Sequence, residues 1–184
     1  MTTITPPMDP PARRKPARPV EDRIFELEDF EVFERDGLTT IAATIASSGA
    51  IYRYTDPETG EVSREKFGRH AFSRLALANA RLNLLAAPLR PGYRPAALAS
   101  TRSGTLRIAR AGAGLAVEFD LAADEYASRT TAEAFRTRNL TSLGISFEVI
   151  RESTGTLGIV RTLAEVKVLS LFVPFGEVTV TPEP

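Results

Sequence analysis

Apolar and polar residues alternate along two stretches near the end of the chain, Ile145 to Ile150 and Leu163 to Leu171. In the first, Ile145, Phe147 and Val149 share one face and Ser146, Glu148 and Ile150 the other. That is the period-two signature of a strand with one side against a core. The apolar row fixes the register, because a slip of one residue would carry Ser146 into the core. In the second stretch, Leu163, Glu165, Lys167, Leu169 and Leu171 are expected on one face. Gly155 and Gly158 predict a turn between the two strands, which makes them antiparallel neighbours.

The same reading extends upstream. Phe25 to Phe30 alternates as an edge strand, and Thr39 to Ser47 (TTIAATIAS) reads as a buried strand of β-branched and small residues. Thr55-Asp56-Pro57-Glu58-Thr59-Gly60 predicts a turn, with proline pre-setting one dihedral and glycine allowing the left-handed one. A helix is predicted from Arg64 to Arg81, capped by Ser63, with Phe67, Ala71, Leu75 and Ala78 on its apolar side. Thr105 to Ile108 and Leu115 to Leu121 predict a hairpin joined by residues 109–114. The join holds Gly112 and Gly114, but no helix follows it directly and no Gly-Lys-Ser/Thr is present, so it is no phosphate loop. Thr130 and Glu133 have the spacing of a capping box for a short helix ending near Asn139. The pattern alone supports a mixed fold, mostly antiparallel β.

The first twenty residues carry six of the thirteen prolines, with Arg13, Arg14, Lys15 and Arg18 against Asp9 alone. Proline and charge without an apolar period cannot offset chain entropy, so residues 1–22 are expected to be a disordered tail and 23–181 one domain. A chain of 184 residues with 43% hydrophobic content suits a single core. Its 23 basic and 23 acidic side chains give no overall field for nucleic acid or anionic lipid. The absence of cysteine rules out disulfides and fits a reducing compartment, and a single histidine argues against a zinc site. No apolar run is long enough to span a bilayer and no secretory signal begins the chain, so an intracellular, soluble protein without a cofactor is expected.

Ser146 and Glu165, held by neighbouring strands, are two of the three parts of a serine hydrolase. The third, a histidine base, is not found with them. His70 is the chain's one histidine and falls at the border of the apolar face of the predicted helix. Lys167, two residues from Glu165, and Tyr93 are the substitutes at hand, but a lysine base needs desolvation that a neighbouring carboxylate opposes. The ordinary alternative is that Ser146 and Glu165 are wet strand residues.

Several blocks, taken in order, carry a resemblance. They are Ala71-Phe72-Ser73-Arg74-Leu75, Arg102-Ser103-Gly104-Thr105-Leu106-Arg107-Ile108, Gly114-Leu115-Ala116-Val117-Glu118, Gly144-Ile145-Ser146-Phe147, and Arg161-Thr162-Leu163-Ala164-Glu165-Val166. Together, over roughly residues 25 to 180, they resemble the HK97-type phage prohead proteases. The resemblance implies the fold shared with herpesvirus assembly proteases, an α+β domain expected as a small closed or nearly closed barrel with two or three flanking helices. It implies that Ser146 attacks the scissile carbonyl while Glu165 orients an imidazolium. It also implies action inside the immature capsid in the host cytoplasm, on the major capsid protein or scaffold, with self-association open and no membrane or specific nucleic-acid partner.

The departures are specific. The family's histidine belongs between the Ala-Phe block and the Ser-Gly-Thr-Leu strand, and Leu82 to Pro95 contains none. A second acidic residue is usual five positions after the one matched by Glu165, where this chain has Ser170. Phe175-Gly176-Glu177-Val178 replaces a Pro-Ala-Tyr-like ending. Three readings stay open: a protease with an unorthodox base, a relative with weakened or lost catalysis serving capsid assembly as a scaffold, and a β-rich binding module unrelated to phage.

Overall fold

The computed structural model describes residues 18–27, 29–46, 49–55, 59–73, 81–86, 95–111, 114–155, 160–174 and 181–182. In chain order the elements are β1 Val20–Glu26, β2 Phe30–Arg35, β3 Leu38–Ile45, β4 Ile51–Thr55, β5 Val62–Phe67, β6 Asn83–Ala86, β7 Ala97–Ser100, β8 Leu106–Ala111, β9 Gly114–Leu121, α1 Tyr126–Arg136, β10 Ser142–Thr154, β11 Arg161–Val173 and β12 Thr181–Pro182. The fold is therefore α+β and mostly antiparallel, as the alternation implied. The tail expected over residues 1–22 lies largely outside the described residues; β1 begins at Val20.

The strands form two sheets. The larger follows the path β1-β10-β11-β5-β4-β12, with β6 and β7 branching from β11, and the smaller runs β2-β3-β9-β8. The barrel, expected closed or nearly closed, is not closed. Among the described residues, β1 pairs only with β10 and β12 only with β4, so both ends of the larger sheet stay open. The antiparallel pairing of β10 with β11 and the hairpin of β8 with β9 stand as the glycine signals predicted.

One core joins both sheets. Phe25, Tyr52, Phe67, Phe72 and Phe147 cluster on the larger sheet, with Phe67 stacked 5.1 Å from Phe72 and edge-on 5.9 Å from Phe147. On the smaller sheet Phe119 packs 5.8 Å from Phe135 of α1, which lies 5.5 Å from Phe30. Such offset and edge-to-face pairs suit the ring quadrupoles and add to area burial.

Two expectations about helices fail. The helix predicted from Arg64 to Arg81 begins instead as a strand, because Val62–Phe67 is β5, antiparallel to β4, and a turn follows it through Ser73. Glu65 and Phe67 are both buried there, a period of two, and the buried carboxylate hid that period from a hydrophobicity reading. Residues 74–80 of the same prediction lie outside the described ones. The capping box of Thr130 and Glu133 is not formed either: α1 starts at Tyr126 with an extended Glu125 before it, and both residues sit within the helix. Among the described residues α1 is the one helix, against two or three expected, and it is not long and apolar enough to cross a membrane.

A buried ion cluster ties the larger sheet together. The Arg23 guanidinium donates twice to Glu65, at 2.8 and 2.9 Å, and once to Glu21 at 2.8 Å. Arg161 donates to Glu21, Glu65 and Glu152 at 2.6–2.9 Å. The Arg23 guanidinium also stacks 3.8 Å from the Tyr54 ring. Charges as deep as those of Arg23 and Glu65 persist only because each is paired.

Candidate active site

The strand that carries Ser146 is fixed by its apolar side. Ile145 and Phe147 are fully buried in the core, so Ser146 between them points to the sheet's other face, as the alternation predicted. Ser146 is nonetheless only 6% exposed. Among the described residues no hydrogen bond engages its hydroxyl, and no buried polar atom lacks a partner, so the hydroxyl reaches solvent.

Ser146 faces Asp22 on β1 and Ser170 on β11. One step beyond, Leu171 faces Leu84 of β6, which brings Asn83 level with Ser170, and Asn83 in turn faces Ser100 of β7. Asp22, Ser146, Ser170, Asn83 and Ser100 thus form one polar row across five strands. Beside it, Gly144 faces Ile24 and Phe172, an apolar floor. The register slips between Ser146 and Phe147, where β11 carries Leu169 as an extra residue. Such a bulge raises the local twist and re-aims side chains.

Glu165 lies elsewhere along the same strand pair. It faces Arg151, five residues from both Ser146 and its partner Ser170. At a rise of ~3.3 Å per residue the two backbones are about 16 Å apart. The bulges also break the single face expected for Leu163, Glu165, Lys167, Leu169 and Leu171: Leu163 and Leu171 are fully buried while Lys167 is half exposed. Each inserted residue reverses the alternation beyond it.

The other base candidates are placed as well. Lys167 Nζ lies 3.5 Å from the Glu148 carboxylate, so Glu148 rather than Glu165 is its ion-pair partner. His70 is exposed, in the turn after β5 and not on a helix. That turn fills the edge of β11 between the parts paired by β5 and β6, with Gly68 N donating to Leu163 O and Val166 N to Ala71 O, each at 2.9 Å. His70 therefore stands near the Glu165 end of the strand and not opposite Ser146. Tyr93, with the rest of 87–94, and Phe175 to Val178 lie outside the described residues.

Asp22 is the neighbour that sequence reasoning missed, since the strand was expected over Phe25 to Phe30, whereas β1 spans Val20–Glu26. Its signal was the two-residue alternation of Asp22 and Ile24 against Arg23 and Phe25, masked because a buried arginine reads as polar.

Among known proteins, neither the curated sequences nor the solved structures give a match. A family model described as the Caudovirus prohead serine protease matches residues 40–181, well over half of the chain and including both β10 and β11. The match agrees with the order of blocks that end in the Ser146 and Glu165 strands: the chain belongs to the family of caudovirus prohead serine proteases.

Proposed function

We propose that this protein acts in phage capsid maturation, inside the assembling head, on the major capsid protein or scaffold. Ser146 is its nucleophile, and its peptidase activity is weak. The observation that carries this reading is the rung that holds Ser146: it offers a solvent-reaching hydroxyl beside Asp22 and Ser170, and no imidazole. In the reaction the Ser146 oxygen bonds to the scissile carbonyl carbon as its O–H bond breaks, and the carbonyl π pair moves to its oxygen; that pair then returns as the C–N bond breaks and the leaving amine takes the proton. Water hydrolyses the acyl-enzyme. Loss of one triad member leaves about 10³–10⁴-fold catalysis over water, which sets the scale expected here.

Co-expression with the cognate capsid protein tests the reading. Slow trimming of the capsid protein is expected with the wild type and none with Ser146→Ala. Identical capsid patterns for both, with particle assembly still dependent on the protein, would replace this reading with that of a non-catalytic scaffold of the same fold.

A further inference from the structure

We propose that Asp22 accepts the proton of the Ser146 hydroxyl, taking the part that histidine plays in other serine hydrolases. The inference rests on the reading of Ser146 as the nucleophile and deepens it.

Asp22 and Ser146 are directly opposite on antiparallel strands. Residues so placed project to the same face with Cβ atoms about 4.5–5.5 Å apart. From there an aspartate oxygen reaches a serine hydroxyl directly or through one water. Asp22 is exposed, and among the described residues no hydrogen bond or ion pair engages its carboxylate. Its chain neighbours differ: Glu21 and Arg23 are both consumed by the buried ion cluster. So two polar groups without partners among the described residues share one rung. On the other side of Ser146 stands Ser170, a neutral hydroxyl and a poor proton acceptor.

The strand that delivers Asp22 is firmly held. Arg23, fixed by Glu65 and Glu21, donates from Nη1 to the carbonyl oxygen of Asp22 at 2.8 Å. Arg18 donates to the carbonyls of Val149 and Ile150 at 3.1 and 2.9 Å, pinning the entry to β1 along β10. A group set on a rigid strand and backed by a locked neighbour needs little reorganisation to act. β1 lies outside the stretch matched by the family model.

In the step, the Ser146 oxygen bonds to the carbonyl carbon as its proton passes to an Asp22 oxygen. The same proton then goes to the leaving amine nitrogen as the C–N bond breaks, and Asp22 returns to its ionised form. In deacylation Asp22 takes a proton from the attacking water and returns it to the Ser146 oxygen.

A fluorophosphonate probe isolates the nucleophile without needing the natural substrate. Ser146 attacks phosphorus, fluoride leaves, and the hydroxyl proton goes to the base. The full chain is incubated with the probe, and the adduct is followed by intact mass and mapped to its peptide. Labelling at Ser146 is expected in the wild type and none in Ser146→Ala. Asp22→Asn should slow labelling at least tenfold, Asp22→Glu should recover part of the rate, and His70→Ala and the distant Asp124→Asn should stay within twofold of wild type. Circular dichroism and thermal melts check that each variant is folded. Ser146 labelling in Asp22→Asn at the wild-type rate, or a tenfold loss in His70→Ala instead, would overturn the role of Asp22 and leave the nucleophile standing. No adduct at Ser146 in the wild type would overturn both.

Discussion

The Phe172 ring lies over Gly144 so closely that a β-carbon added to the glycine would fall 2.1 Å from its Cζ. Both residues stand one alternate position from the rung of Ser146 and Ser170, so the ring forms the apolar floor beside Ser146. Phe172 is itself 2% exposed and has little room to retreat. Gly144→Ala is therefore expected to cost about 1–3 kcal/mol by overpacking, read as a lower urea midpoint with unchanged slope. Trimming the ring in Gly144→Ala/Phe172→Leu should restore part of the loss.

The Ser146 hydroxyl is expected to matter little for stability. With no hydrogen bond to a described residue, its removal leaves no orphaned partner. Ser146→Ala should unfold within about 0.5 kcal/mol of wild type in urea. A larger loss would mean that the hydroxyl has a structural role.

Glu65 is expected to matter a great deal. It accepts from both Arg23 and Arg161, and its side chain is 6% exposed. Glu65→Gln leaves two guanidinium groups short of a carboxylate, and breaking a buried pair costs about 3–5 kcal/mol. By contrast Glu34→Gln, which removes the exposed partner of Arg136, should cost at most about 1 kcal/mol. Parallel urea titrations of the two variants make the comparison.

The same cluster predicts an acid limb in stability. Burial pushes the Glu21 carboxyl up, but hydrogen bonds and charge from Arg161 and Arg23 outweigh it and hold the group below its ordinary value. A carboxylate depressed in the folded state contributes fully above its unfolded value of about 4.3. The contribution is lost as pH falls from there through the folded value. Melting temperature should drop across that acid window, and Glu21→Gln, less stable at neutral pH, should show a shallower drop.

Much of the fold was legible because long strands with one apolar side announce themselves. The β10 alternation, the β8–β9 hairpin, the β3 strand and the order of blocks all follow from side-chain period and turn residues. The strands that escaped were those built on charge. Arg23 in β1 and Glu65 in β5 are both buried, and each reads as a surface residue until the other is placed beside it. The helix predicted from Arg64 failed for this reason, and Asp22 was assigned to the tail for the same one.

The sequence by itself determined which face of its strand Ser146 occupies, that its strand and that of Glu165 are antiparallel neighbours, and that no histidine stands in the usual window. These are local properties, set by a period of two and by residue identity. Only the tertiary structure decided what faces what. The pairing register puts Asp22 and Ser170 beside Ser146 and leaves Glu165 five residues away opposite Arg151. Register depends on bulges and on ion pairs between residues far apart in the chain, and each inserted residue moves every later side chain to the opposite face.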